Sequence, residues 1–377
     1  MEKSGDTPNV GLAPPDLAAV FERPGPFATV HLNTDPAIEN AAQYSERRWR
    51  AQSESLTEQG APDAVLHAID TVVPDAHLYG AGLGVVADEH GVVHVEHHPH
   101  APAVDLARWS RLPSLALMVE WRQGHVPHVL VLTDRRGADL YATDESGDEI
   151  RDEAGNPNLR VEKVAPGGWS QRRYQQRAEV AWEKNASDVA DDLVRLVDRV
   201  GAKLVVVAGD ARATALLRER LPRRIESILY EVGGNRARDG SEIEIAQETA
   251  RLVATAAARD TVAAIEKFRE ERGEHDRAAN GAEATFAALQ EARVEMLLVH
   301  DDADDIRVGW FGERPTDAAV RRDDLEAFGV DQPRQARLVD VALRAAFGTG
   351  AGVRIVPKHG GPADGIGAIL RWREPER

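Results

Sequence analysis

Residues Lys203–Val232 read KLVVVAGDARATALLRERLPRRIESILYEV, and this stretch decides the fold class. Lys203–Ala208 is a continuous apolar run typical of a buried strand, a helical pattern follows it, and Ile228–Val232 is a second short apolar run. Upstream, His128–Thr133 (HVLVLT) predicts another strand, and a helical pattern beginning at Gln171 lies between the two. This alternation predicts an α/β fold with a parallel, Rossmann-like layer. The apolar face of the intervening helix is predicted to consist of Val189, Leu193, Leu196, Val197 and Val200.

The flanking regions also mix helical and strand patterns. Before the middle region we predict strand Phe27–Leu32, helices Ala37–Leu56 and Ala64–Asp70, a hairpin of Leu83–Ala87 with Val92–Glu96, and strand Pro113–Trp121. After His128–Thr133 we predict strand Ala138–Thr143 and then a polar loop over 144–158. Beyond a Gly-rich linker at Gly233–Gly240 we predict helices Ile243–Arg272, Ala282–Ala292 and Arg334–Phe347, with strands Met296–His300, Ile306–Trp310, Val353–Val356 and Ile366–Trp372. The pattern predicts three domains, 1–124, 125–235 and 236–377, with a mixed or parallel sheet in the middle one.

Composition and charge restrict the function. The chain has 377 residues, of which 42% are hydrophobic and 29% charged, and its net charge is -17. The absence of cysteine excludes a disulfide framework and a thiolate nucleophile. No apolar run suits a membrane span and no signal-peptide pattern opens the chain, so we expect a cytoplasmic protein. An acidic chain repels phosphate, so any nucleic-acid function requires a locally basic patch.

One such patch follows a diglycine loop in the stretch APGGWSQRRYQQRAEV at Ala165–Val180. Gly167 and Gly168 adopt positive φ freely, which lets a loop approach a partner closely. Ser170 is a candidate cap for the helix that follows. Arg172, Arg173 and Arg177 lie within two turns of that helix and offer charge to phosphate, while Trp169 and Tyr174 offer rings for base stacking. The alternative is an ordinary Gly-rich turn before a capped, salt-bridged helix.

Other residue groups carry weaker signals. His94, Glu96 and His98 share a strand face, where zinc is conceivable, but a polar edge hairpin is the favoured explanation, and we predict no metal site. His300–Asp305 (HDDADD) lacks the glycine and distal glutamate of a calcium loop. The basic group Arg47, Arg48 and Arg50 either contacts RNA or forms ion pairs on a solvated helix face. Because phosphate-loop and nucleophile-elbow motifs are also absent, no cofactor is predicted.

Two motifs in the same order resemble a known family. GGWSQRRYQQR at Gly167–Arg177 resembles the Gly-Gly-Gln loop of the archaeal and eukaryotic class-1 peptide chain release factors, and GIGAILRW at Gly365–Trp372 resembles the last strand of their third domain. The resemblance covers about residues 126–372. It is nearest to a bacterial branch that includes the hibernation factor Balon, with Pelota and the Vms1-type peptidyl-tRNA hydrolases more distant.

The resemblance implies an architecture and a site. The first domain would face the decoding centre, the middle domain would place its loop in the peptidyl-transferase centre, and the third, L7Ae-like domain would contact a translational GTPase. The chain departs from the family at two points. Trp169 stands where the family has its catalytic glutamine, and the first domain lacks the Asn-Ile-Lys-Ser motif that reads stop codons.

Two functions follow from the resemblance. The first is a binding protein that occupies the ribosomal A site of the 70S ribosome without reading a codon, with Gly167, Gly168, Trp169, Ser170, Gln171 and the three arginines against rRNA and EF-Tu as the GTPase partner. The second is a peptidyl-tRNA hydrolase in which Gln171, or less directly Gln175, orients the attacking water. A third alternative is a soluble protein that kept the fold and lost the ribosome.

Overall fold

The computed structural model describes residues 14–134, 137–144, 147, 149–155, 170–236, 240–275, 277–302 and 304–373. The chain divides into two compact units, one formed by 122–260 and the other by the two flanking segments, 1–121 and 261–377. The three-domain division therefore stays a prediction, whereas the predicted α/β class is confirmed by sheets and helices in both units.

The sheet of the 122–260 unit is mixed, as predicted. Its elements are β5 (His128–Thr133), β6 (Gly137–Thr143), β7 (Glu149–Gly155), α5 (Ser170–Val200), β8 (Leu204–Gly209), α6 (Ala211–Arg218), α7 (Arg223–Glu226) and β9 (Leu229–Glu231). The strand order is β7-β6-β5-β8-β9, in which β5, β8 and β9 are parallel and β6 and β7 antiparallel. All five predicted apolar positions of α5 are buried against this sheet. The Rossmann-like prediction is therefore confirmed here.

The N-terminal part of the other unit is a four-stranded antiparallel sheet with helices. Its elements are α1 (Pro15–Val20), β1 (Phe27–Asn33), α2 (Ala41–Glu58), α3 (Asp63–Asp70), β2 (Gly82–Asp88), β3 (Gly91–His98), β4 (Leu106–Ser110) and α4 (Ala116–Gln123). The strand order is β3-β2-β1-β4.

The C-terminal part of that unit contains two small sheets. Its elements are α8 (Glu242–Glu270, which begins in the 122–260 unit), β10 (Ala278–Asn280), α9 (Ala282–Gln290), β11 (Val294–Val299), β12 (Val308–Phe311), β13 (Ala318–Ala319), α10 (Arg322–Ala327), β14 (Arg334–Arg337), α11 (Leu338–Gly348), β15 (Gly352–Ile355) and β16 (Ile366–Leu370). The strand orders are β10-β16-β11-β15 and β13-β12-β14.

One hydrophobic core joins the N-terminal and C-terminal parts. The same buried cluster contains Leu17, Leu115 and Met118 from the N-terminal part and Leu343 from α11 in the C-terminal part. Phe21 also meets Phe347 edge to face, with ring centroids 5.7 Å apart. Burial of this apolar surface contributes roughly 25 cal/mol per Å², so the two ends of the chain stabilise each other.

Three predicted elements are wrong. Pro113–Trp121 forms helix α4 from Ala116 onward, and its nearly unbroken apolar composition reflects a helix buried on most sides, which periodicity does not distinguish from a buried strand. The predicted helix Arg334–Phe347 begins only at Leu338, because its first four residues pair with β12 as β14. The predicted polar loop contains β7, an edge strand whose acidic composition hides its pairing with β6.

Candidate functional site

The residues of the predicted site divide between a part that the structure describes and a part that it does not. Gly167, Gly168 and Trp169 lie outside them. Ser170 is the first residue of α5, so the helix begins one position before the predicted start at Gln171. Gln171, Arg172, Arg173 and Arg177 fall in its first two turns. The structure therefore places Gln171 and the three arginines at the start of a helix, and their roles stay predictions.

Helix α5 begins about four turns before its first buried residues in the described part of the chain. Asn185 and Ala186, both buried, line a small cavity together with Thr133 and Asp134, at the carboxyl end of β5. The fifteen residues of α5 that precede Asn185 add about 22 Å along the helix axis, at 1.5 Å per residue. The buried C-terminal half thus anchors a helix whose N-terminus begins about four turns away.

The register of α5 sorts the predicted residues by face. Arg173 and Arg177 are four residues apart and share one side of the helix, and Arg172 is about 100° around the axis from Arg173. Gln171 and Gln175 are also four apart. The free N–H groups at a helix N-terminus carry partial positive charge, which adds to the charge of these arginines.

The equivalent end of helix α6 is already satisfied by its own chain. Asp210 is the N-cap of α6, and its Oδ1 accepts hydrogen bonds from the backbone N–H of Arg212 at 3.1 Å and of Ala213 at 3.2 Å. Two of the free donors of this helix are therefore used internally.

Arg236, in the linker after β9, clamps the turn between β5 and the neighbouring strand β6, and sequence reasoning missed it. Its Nε and Nη2 donate to the two carboxylate oxygens of Asp139 at 2.9 and 3.0 Å, and its Nη1 donates to Asp134 at 3.2 Å. Hydrogen bonding to Asp139 raises the pKa of Arg236. Arg236 lies 97 positions from Asp139 and 102 from Asp134, so no local pattern could have revealed the clamp.

We expect Arg236→Ala to destabilise the 122–260 unit by about 1–3 kcal/mol, because two neighbouring carboxylates lose their shared cation. Arg236→Lys should restore only part of this, since an ammonium group cannot bind a carboxylate through two parallel hydrogen bonds. Urea unfolding of the three proteins measures the difference. Equal stability of all three would show that the clamp is energetically neutral.

The basic group on α2 is partly neutralised. Arg48 Nη1 donates to Asp105 at 2.5 Å, and its Nη2 donates to the Tyr44 hydroxyl at 3.1 Å. Arg47 and Arg50 are exposed. Of the two readings left open for this group, ion pairing therefore holds for Arg48.

The histidine-rich hairpin forms local contacts. His94 Nε2 lies 3.3 Å from Glu96 Oε2, and His98 stacks on Trp121 with ring centroids 4.8 Å apart. Among the described residues no group of three His, Cys, Asp or Glu side chains is placed to hold a metal ion. Within that same part of the chain, every helix falls short of the length and apolar character that a bilayer crossing requires.

Comparison with known proteins finds a family model that matches most of the 122–260 unit and the residues that directly follow it. Residues 127–274 match the model of Bacterial archaeo-eukaryotic release factor family 2. Two uncharacterized proteins of Mycobacterium tuberculosis, MT2704 and Rv2629, are each 27% identical to this chain over 360 residues, covering 94% of this chain and 95% of their own.

Solved structures give looser similarities. The crystal structure of an archaeal translation termination factor is 17% identical and covers 97% of this chain and 100% of its own, with a TM-score of 0.25. Pelota of Archaeoglobus fulgidus is 14% identical and covers 97% and 95%, with a TM-score of 0.36. A model of ribosome-bound archaeal Pelota and ABCE1 is 14% identical and covers 99% of each chain, with a TM-score of 0.38. Because these TM-scores are low, the similarity to the family rests on the match of residues 127–274 to the family model. Over residues 127–274, the chain matches a bacterial family of archaeo-eukaryotic release factor homologues.

Proposed function

We propose that this protein is a ribosome-binding translation factor that occupies the A site and reaches the peptidyl-transferase centre without codon-specific termination. In this role it holds idle ribosomes in a protected state, as a hibernation factor does. One observation carries the proposal: in the segment that matches the family, α5 begins directly after the diglycine loop and has three arginines in its first two turns. The stretch 160–177 contains five Lys or Arg residues and one Glu, in a chain whose net charge is -17.

The residue after the two glycines favours binding over hydrolysis. Trp169 occupies the position of the family's catalytic glutamine. An indole has one N–H donor and no acceptor, so it cannot hold a water between a donor and an acceptor as an amide does. Its large ring instead suits stacking on an exposed base of rRNA, at about 1–3 kcal/mol per base.

Cosedimentation with vacant 70S ribosomes is the direct test. The full chain should pellet with ribosomes at low salt and be released as salt rises, because the arginines displace counterions from phosphate. Adding purified EF-Tu to the same assay tests the second part of the proposal, in which the C-terminal segment docks a translational GTPase. Failure to pellet at any salt concentration would remove the proposed function.

A second candidate, a peptidyl-tRNA hydrolase for stalled ribosomes, is favoured by the position of Gln171. This glutamine is the second residue of α5 and lies two positions beyond Trp169, and its amide can both donate to and accept from a water. The ribosome would supply most of the surrounding electrostatic field, and Gln171 would orient the attacking water.

If the hydrolase reading holds, Gln171→Ala should slow release from a stalled peptidyl-tRNA by about 100-fold, the usual loss for one orienting group. Gln176 lies about 140° around α5 from Gln171, so Gln176→Ala is the matched control and should stay within about twofold of the wild type. Release of labelled peptide from purified complexes measures both. Unchanged release by the Gln171 variant would exclude this residue as the catalyst.

A further inference from the structure

Two buried ionisable residues from opposite ends of the chain are linked through one serine. His31 on β1 and Asp340 in the first turn of α11 are 1% and 0% exposed, and Ser114, just before α4, is 4% exposed. The Ser114 hydroxyl donates to Asp340 Oδ2 at 2.8 Å. His31 Nε2 lies 3.4 Å from the Ser114 carbonyl oxygen. This chain of contacts crosses the shared core that joins the two ends of the chain.

The contacts of His31 suit a neutral imidazole. Nε2 faces a carbonyl oxygen, which requires a hydrogen on that nitrogen, while Nδ1 is buried and has no hydrogen-bond partner in the described part of the chain. A second ring hydrogen would therefore be buried without an acceptor. The edge of the ring also meets Trp121, with centroids 5.8 Å apart.

The contacts of Asp340 suit a protonated carboxyl group. Ser114 donates to Oδ2, but the buried Oδ1 has no partner among the described residues. Arg337 lies near, but its Nη1 already binds Asp301 at 2.5 Å. A buried carboxylate usually needs two or three donors to stay ionised, so one donor is too few.

Neighbouring charges shift the pKa values of both groups, but burial has the larger effect on each. Burial raises the pKa of Asp340 to about 7, against the opposing effects of Arg337, Ser114 and Arg108 and with a smaller raising effect of Asp301. Burial lowers the pKa of His31 to about 4, although the Ser114 carbonyl, Asp301 and Glu96 act to raise it, and Arg108 lowers it slightly.

We propose that His31 and Asp340 are a proton-compensated pair that keeps the junction between the two chain ends insensitive to mild acid. Between about pH 4 and 6.5 the folded unit holds a proton on the carboxyl group and none on the imidazole, and the unfolded chain holds the reverse. Folding therefore moves one proton from imidazole to carboxyl group and neither takes up nor releases a proton at this pair.

Each residue alone makes stability depend on pH, with opposite sign. The pKa of Asp340 lies above its ordinary 3.8, so its contribution to stability is lost as pH rises from 3.8 to about 7. The pKa of His31 lies below its ordinary 6.5, so its contribution is lost as pH falls from 6.5 to about 4. Between about pH 4 and 6.5 the two effects of pH on stability cancel. When either residue is removed, stability therefore depends on pH as the remaining residue dictates.

A double-mutant cycle of the full chain tests the proposal at pH 4.5, 5.5 and 6.5. Relative to the wild type, Asp340→Asn should raise the unfolding constant of this unit about 10-fold for each unit of falling pH, about 100-fold over the range. His31→Gln should lower it by similar factors, and the double variant should follow the wild type. Hydrogen exchange in urea, read from peptides 27–33 and 338–348, restricts the measurement to this unit.

Two further measurements keep the test decisive. His67→Gln, at an exposed histidine of the same unit, should leave the pH dependence of the wild type unchanged. Should the variants fail to fold, nitrogen chemical shifts of the wild-type histidines at pH 5.5 report the state of His31 directly, and a neutral ring with hydrogen on Nε2 is expected. The proposal would be overturned if the unfolding constants of the wild type, the two single variants and the double variant changed in parallel with pH. A protonated His31 at pH 5.5 would overturn it as well.

Discussion

Replacing Arg172 and Arg173 together by Ala should lower the affinity for vacant 70S ribosomes by about 100-fold near 0.1 M salt. Each arginine is expected to contribute about 1.5 kcal/mol through a charge-assisted hydrogen bond to phosphate, and 1.4 kcal/mol is a factor of ten. Both residues lie in the first turn of α5, so loss of their side chains should leave the anchored C-terminal half of that helix intact. Cosedimentation over a protein concentration series measures the change.

The salt dependence of binding separates phosphate contact from misfolding. Fewer displaced counterions should make the slope of log affinity against log salt shallower by about 1.5 for the double variant. The matched control is Arg195→Ala with Arg199→Ala, which removes the same charge from the exposed side of the same helix. It should keep nearly the wild-type slope. Equal loss in both double variants would mean that total charge, rather than the start of α5, governs binding.

Gly209→Ala should destabilise the 122–260 unit by at least about 3 kcal/mol, a large share of the 5–15 kcal/mol that stabilises a typical domain. Gly209 ends β8 with φ of 149°, opposite Thr133 at the end of β5. A Cβ there would lie 1.9 Å from the Thr133 carbonyl oxygen and 2.8 Å from its carbonyl carbon. Both are backbone atoms, so no rotamer change relieves the clash, and the two parallel strands must separate.

Gly201→Ala is the control for the glycine prediction. Gly201 also has positive φ, 63°, but no atom lies within 4 Å of a Cβ built there. Its replacement should therefore cost only about 1 kcal/mol, the usual penalty of a left-handed alanine. Urea unfolding read by hydrogen exchange in peptides from β5 and β8 compares the two. Equal costs would show that the strand ends adjust freely around the added methyl group.

Local periodicity was sufficient for the parts of the fold in which one element buries one face. Strand β8 is a continuous apolar run because nearly all of it is buried, and β5 buries every second residue. The apolar stripe of α5 repeats every three to four residues. The start of α5 after a diglycine was predictable for the same local reason, and with it the positions of Gln171 and the three arginines. The placement of Gly167, Gly168 and Trp169 and the roles of the site residues stay predictions.

The sequence by itself determined the α/β class, the mixed sheet and the basic helix start, because these depend on spacing between near neighbours. Only the tertiary structure decided that Pro113–Trp121 contains a helix, that Arg236 clamps Asp139, and that the two ends of the chain share a core. It also brought His31 and Asp340 to the two sides of Ser114. Contacts between residues hundreds of positions apart leave no periodic trace in the sequence, since their energy comes from burial and charge that exist only once the chain has closed.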